Sequence, residues 1–173
     1  MLDRLKRYID PLIFVLLLPV GLSIVAFYGF TSGYTTGIYT HDGFEQQFSS
    51  NIYRYRVLGT KLHEILYDVI KDSPLPRRVP SLINIYCPDS VEPALYSSVF
   101  YFNMIFMVLL SLVVYLTIKK RVPEPMSTFA LLMIQLLVTL SSFVFIHYDV
   151  ISCFFLCLAF YLIFFGEFRG SFI

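Results

Sequence analysis

The chain has 173 residues, of which 57% are hydrophobic and only 14% are charged. This composition excludes an ordinary soluble domain and indicates a membrane protein. The 13 basic and 12 acidic residues give a net charge of +1, too little for the broad positive field on which nucleic-acid binding depends, so we expect no nucleic-acid partner. The three cysteines form no C-x-x-C pair, and a zinc site or redox dithiol is not expected.

Four stretches without Asp, Glu, Lys or Arg are long enough to cross a hydrocarbon core of about 30 Å as helices. They are 11–30, 97–118, 126–146 and 150–166. One helix through the last two would be about 60 Å long, so we predict a hairpin that places His147, Tyr148 and Asp149 in water. The predicted fold is a single all-α integral membrane domain with four transmembrane helices and an amphipathic interfacial helix in a long outer loop.

The first span contains two prolines. Pro11 suits a first helical turn, whereas Pro19 is expected to kink the helix or to be accommodated by neighbouring helices. A basic stretch before an apolar run is also typical of a cleavable signal peptide. The run is too long for that, and Phe27, Tyr28 and Phe30 stand where small residues would precede a cleavage site, so we predict a retained anchor.

The predicted outer loop, 31–96, contains the amphipathic helix, over 43–72. Apolar residues recur there at steps of three or four, at Phe48, Ile52, Tyr55, Leu58, Leu62, Leu66 and Val69. Asp42 with Glu45 resembles a capping box at its start, and Ser73 with Pro74 marks its end. Because Arg54 and Arg56 fall on opposite shoulders of the apolar arc, we expect the helix to lie flat on the membrane surface.

Basic residues flank the predicted spans on one side. They are Arg4, Lys6 and Arg7 before the first span, Lys119, Lys120 and Arg121 after the second, and Arg169 after the fourth. By the positive-inside rule this side is cytoplasmic, with both termini there, and we expect a bacterial inner membrane. The outer loop and the His147 to Asp149 turn then share the opposite face.

Candidate chemistry lies on that outer face. Asp42 and Asp149 could converge there as a general base or as ligands of a divalent cation such as Mg²⁺ or Mn²⁺, with His41 and His147 beside them. The alternative is structural, since an aspartate at either position is a good helix N-cap.

Other polar residues have two interpretations as well. Arg54 and Arg56 either bind the phosphates of a lipid-linked substrate or extend their side chains along lipid to the headgroups. Gln135 and Asn103, inside the predicted spans, are expected to hydrogen-bond between helices.

The segments His41-Asp42-Gly43 and His147-Tyr148-Asp149, with an interfacial helix after the first, resemble the N-terminal part of the polytopic GT-C glycosyltransferases. That family uses polyprenyl-phosphate-linked sugar donors and carries acidic sites early in its first outer loop and in the turn before its fourth span. The resemblance implies sugar transfer at the outer face, with Asp42 as base or cation ligand, Asp149 as the second acidic site, and Arg54 or Arg56 near the lipid phosphate.

The chain departs from that family in two respects. It has a single Asp where the family has D-x-D, and it has fewer spans. We therefore expect either a fragment or split subunit, which assembles with a companion membrane subunit or with further copies of itself, or a non-catalytic relative of the family. The alternative function is a small non-catalytic membrane subunit whose outer amphipathic helix docks a partner protein or lipid.

Overall fold

The computed structural model describes residues 9–29, 40, 42–43, 57–74, 92–123, 125–141 and 149–165. Every regular element in these ranges is helical, which confirms the all-α prediction for this part of the chain. Helix α1 is a π-helical stretch, Leu12–Leu17, continued by an α-helix, Leu18–Gly29. The others are α2 (Val57–Ile70), α3 (Pro93–Arg121), α4 (Met126–Ser141) and α5 (Asp149–Phe165).

Among the described residues, two helices are long and apolar enough to cross a membrane by length and composition. They are Ile9–Tyr28, which contains most of α1, and α3. Helices α4 and α5 are apolar but have 16 and 17 residues, about 24 to 26 Å. The end of the predicted span 126–146 lies outside the described residues. Crossing by all four helices therefore stays a prediction.

Helix α3 is longer than its predicted span, 97–118. Its 29 residues rise about 43 Å, more than a hydrocarbon core of about 30 Å. It begins earlier because Pro93 occupies the first turn, where no backbone N–H donor is needed. It ends later because Lys119, Lys120 and Arg121 complement the negative end of the helix dipole.

Helix α3 is the common packing partner, and all four other helices contact it. Near its start, Phe27 and Tyr28 of α1 pack on Tyr96 and Phe100, and we call these four residues the aromatic end. The ring centroids of Phe27 and Tyr96 are 4.7 Å apart. Three of the four side chains are nearly inaccessible, so this cluster fixes α1 against the first turns of α3.

Charged residues lie at the opposite end of α3. Lys119 Nζ is 3.4 Å from Oδ2 of Asp10, two residues before α1, and Lys120 Nζ donates to the Tyr161 hydroxyl of α5 at 3.1 Å. We call Asp10, Lys119, Lys120 and Arg121 the basic end. Helix α1 is thus antiparallel to α3 and α5 is parallel to it, so the start of α1 and the ends of α3 and α5 lie together, as the predicted topology requires.

The π-helical stretch of α1 explains how Pro19 is accommodated. The Leu18 N–H donates to the Ile13 carbonyl, one residue further back than in an α-helix. In the same π-helical pattern, the N–H of residue 19 would donate to the Phe14 carbonyl, but residue 19 is a proline and has no N–H. Gln135 Nε2 of α4 donates to the Phe14 carbonyl instead. The predictions for Pro19 and Gln135 are both confirmed.

Asn103 was assigned the same bridging role as Gln135, and here the prediction was wrong. Its Nδ2 donates to the Val99 carbonyl at 2.9 Å, one turn back in α3. The amide is 1% exposed, and this bond satisfies its donor within its own helix rather than across to another helix.

The helices bury polar side chains among the apolar ones of the core, and they expose large apolar side chains on the outside. The buried polar residues on α1, α3 and α4 are Ser23, Ser97, Ser98, Asn103, Ser111, Ser127, Gln135 and Thr139. On the outside, Leu140 is 70% exposed and Ile163 is 72% exposed. Small and polar residues between helices are typical of helix packing in lipid, where apolar contact alone provides no preference for the interior.

Candidate functional site

The two aspartates predicted to carry chemistry are both exposed. Asp149 is the first residue of α5, where its carboxylate complements the positive end of the helix dipole. Asp42 lies in a turn that Thr40 caps, because the Gly43 N–H donates to Thr40 Oγ1 at 3.1 Å. Glu45, the partner of Asp42 in the predicted capping box, lies outside the described residues, so a cap by Asp42 stays a prediction.

The remaining predicted site residues, His41, Arg54, Arg56 and His147, lie outside the described residues. So does the first part of the predicted helix 43–72, of which α2 is the described portion. Within the described ranges, no three His, Cys, Asp or Glu side chains come together in a way that could hold a metal ion. Cation binding by Asp42 and Asp149 stays a prediction.

The most developed polar contact in the described structure joins α2 to α3. His63 of α2 is completely buried, and its Nε2 lies 2.7 Å from Ser98 Oγ. The Ser98 hydroxyl donates its proton to the Leu95 carbonyl at 2.7 Å, so its oxygen accepts from His63 Nε2–H. The imidazole also meets the Phe102 ring edge-on at 5.7 Å. Together these contacts fix the orientation of the imidazole and the docking of α2.

Tyr67, one helical turn after His63, makes a second polar contact. Its hydroxyl donates to Glu92 Oε1 at 2.5 Å. Glu92 occupies the N-cap position of α3, but its side chain makes no capping bond and is directed to Tyr67 instead. This hydrogen bond, with burial and the negative charge of Glu92, raises the pKa of Tyr67 to about 12. The phenol therefore stays protonated far above neutral pH.

Apolar packing continues the contact between α2 and the bundle. Leu62 and Leu66 pack on Phe102 of α3 and Ile151 of α5. From Glu92 to Phe102 the contacts extend about 15 Å along α3. Because Ile151 follows Asp149 by two residues, Asp149 lies at the end of the bundle where α2 docks.

The face of α2 turned away from the bundle carries both apolar and charged side chains. Leu58, Ile65 and Val69 are 58%, 60% and 70% exposed, and we call them the α2 stripe. Ion pairs flank it, Lys61 with Glu64 at 2.6 Å and Lys71 with Asp68 at 2.8 Å. The helix ends at Ile70, two residues before the predicted end, and the Ser73 hydroxyl donates to the Ile70 carbonyl.

Sequence reasoning did not identify the docking residues of α2. Thr60 and His63 are buried against the bundle and Tyr67 is half-buried, although helical periodicity assigns polar residues to solvent. Their spacing of three and four was the available signal, because it places them on one side of the helix next to the apolar arc. A row of polar residues with this spacing can also face water, and only its burial in the structure distinguishes a docked row from a solvent-exposed one.

Comparison with known proteins identifies no relative. No protein-family model, no curated protein and no solved structure matches the chain.

Proposed function

We propose that α1, α3, α4 and α5 cross a lipid bilayer and that α2 lies at its outer interface. Two arguments support this arrangement. Large apolar side chains face outward while polar ones are buried between helices. The opposite directions of α1 and α3 also place the start of α1 beside the basic end of α3, and the positive-inside rule places that end in the cytoplasm together with both termini.

We infer that the chain acts as a non-catalytic membrane subunit whose outer helix docks on lipid. The observation that carries this proposal is the α2 stripe on a helix that His63 and Tyr67 hold rigidly against the bundle. In this arrangement the Tyr67–Glu92 pair lies at the depth of the lipid headgroups. From there α2 follows α3 for about 15 Å towards the bilayer centre, so the α2 stripe meets the acyl chains of the outer leaflet. Exposed Leu, Ile and Val side chains are stabilised there and would be unfavourable in water.

Tryptophan fluorescence tests this placement, because the chain has no tryptophan of its own. In bilayers that contain brominated acyl chains, the fluorescence of Ile65→Trp is expected to be strongly quenched. The matched control is Glu64→Trp, one residue earlier and about 100° around the helix, which is expected to be quenched far less. Both variants place the probe at nearly the same position along α2, so the difference reports the face.

Two outcomes would contradict the lipid-docking proposal. Quenching of Ile65→Trp by aqueous iodide rather than by brominated lipid would place the stripe in water. Protection from both quenchers would place it against a protein. The second result would favour a subunit that docks a partner through the same stripe.

Sugar transfer from a lipid carrier is the competing proposal. It is supported by the resemblance of layout to the GT-C glycosyltransferases and by the exposure of Asp42 and Asp149, since a carboxylate must be accessible to act on a bound donor. The position of Asp149 beside the docked α2 also agrees with a site in which an interfacial helix contributes.

Substitution of each aspartate tests this second proposal. In membranes supplied with a radiolabelled polyprenyl-phosphate sugar, Asp42→Asn and Asp149→Asn are each expected to lower transfer by about 10²- to 10⁴-fold, the usual loss for a general acid or base. Asp68→Asn, a change at an exposed carboxylate of α2, serves as the control and should keep full activity. Transfer that persists in both of the first two variants would remove the catalytic proposal.

A further inference from the structure

An apolar groove lies between α3, α4 and α5 near the basic end. Its volume is about 220 Å³, and its walls include Val114, Thr117, Ile134, Phe160 and Phe165. Small-molecule pockets usually enclose about 300–1,000 Å³. The groove is therefore smaller than most such pockets, and its volume and apolar lining suit part of an apolar chain.

Two cations lie at the rim of this groove. Lys120 Nζ is 5.1 Å from the Tyr161 ring centroid and 5.0 Å from that of Phe165, and Arg121 Cζ is 5.0 Å from Phe165. Both aromatic rings also line the groove. Cation–π contacts and the Lys120–Tyr161 hydrogen bond thus hold two positive charges at the opening of the apolar groove.

The third cation of the basic end is arranged differently. Lys119 is neutralised by Asp10 at 3.4 Å. Among the residues that the structure describes, neither Lys120 nor Arg121 has a carboxylate within ion-pair distance. Within the described part of the chain, an anion placed between them would meet positive charge that no carboxylate offsets.

We propose that this groove binds an anionic phospholipid, with its phosphate between Lys120 and Arg121 and one acyl chain along the channel. The inference depends on the membrane embedding proposed above. The two positive charges favour an acidic headgroup over a zwitterionic one, and the apolar channel favours a lipid over a free phosphate. Basic sites between helices on the cytoplasmic side are suited to acidic lipid headgroups.

Native mass spectrometry of the full chain in detergent tests the site with phosphatidylglycerol and phosphatidylcholine as probes. We expect the wild type to prefer phosphatidylglycerol by about tenfold or more, since each cation near the headgroup favours an anionic lipid by several-fold. The Lys120→Gln/Arg121→Gln variant should lose the preference, and Lys120→Arg should retain it. Lys61→Gln/Lys71→Gln, which removes two cations from α2, is the matched control and should leave the preference unchanged.

Further measurements separate the two parts of the site. Val114→Phe, which fills the channel, should weaken the binding of both lipids. Glycerophosphate, which has the headgroup chemistry without a chain, should not compete. Three results would each overturn the proposal. They are effective competition by glycerophosphate, equal binding of the two lipids to the wild type, and an unchanged preference in Lys120→Gln/Arg121→Gln.

The two proposals fail in distinguishable ways. Quenching of Ile65→Trp by brominated lipid without a preference for phosphatidylglycerol would remove the lipid site alone. A preference that persists while Ile65→Trp is unquenched would remove the proposed role of α2 alone.

Discussion

Replacing Gln135 with methionine is expected to lower the free energy of unfolding by about 1 kcal/mol. Methionine has a similar size but cannot donate to the Phe14 carbonyl, which Pro19 leaves without a backbone donor. The loss is moderate because the substitution also removes the Gln135 Oε1, a buried acceptor to which no described residue donates a hydrogen bond.

A double-mutant cycle with Pro19→Ala separates the contribution of the Gln135–Phe14 hydrogen bond from the effect of removing Gln135 Oε1. Alanine restores an N–H at position 19, so the Phe14 carbonyl regains a backbone donor and Gln135→Met should cost less in this background. We expect a coupling free energy of about 1 kcal/mol, within the range for polar contacts between membrane helices. The measurement is reversible unfolding in mixed micelles, followed by circular dichroism.

Asn103→Leu provides the control for that cycle. Asn103 is also a buried amide, but its bond lies within α3, so its cost should be the same with proline or alanine at position 19. Strictly additive effects of Gln135→Met and Pro19→Ala would contradict the proposed link between the π-helical stretch and α4.

Replacing Tyr67 with phenylalanine is expected to destabilise the docking of α2 by about 1.5 kcal/mol near neutral pH, the lower range for a hydrogen bond to a charged group. The effect should depend on pH. The pKa of Tyr67 is raised from 10.0 to about 12 in the folded protein, so the hydrogen bond stabilises the fold fully below about pH 10. As pH rises from about 10 through 12 the phenol ionises and this stabilisation is lost.

The difference in unfolding free energy between wild type and Tyr67→Phe should therefore be constant up to about pH 10 and close towards pH 12. Glu92→Gln keeps an acceptor but removes the charge, so it should reduce the pH dependence while retaining part of the hydrogen bond. A difference that does not change between about pH 8 and 11.5 would contradict the assignment of the raised pKa to the Glu92 contact.

The helical elements were accessible from the sequence because lipid-length apolar runs and three-to-four periodicity are local signals. The predicted spans 11–30 and 150–166 agree with α1 and α5 to within a few residues at the described ends. The extent of α3 was underestimated because hydropathy marks the apolar run, whereas the helix continues through a Pro at its start and three cations at its end.

The docking site was not accessible in the same way. His63 meets Ser98 across 35 residues, and Gln135 meets a carbonyl 121 residues away. No local pattern shows which polar side chains will find such partners. The basic residues at the end of α3 served to orient the chain, but their position over the α5 rings depends on packing between helices distant in sequence.

The central position of α3 has a consequence for biogenesis. Helices α1 and α2 are synthesised first, yet the surface on which both pack is supplied by residues that leave the ribosome later. Until the rest of the polypeptide is translated, the hydrogen-bond partners of His63, Tyr67 and the π-helical stretch are missing. Helices α1 and α2 therefore reach their final packing only after α3 has been synthesised, although they precede it in the chain.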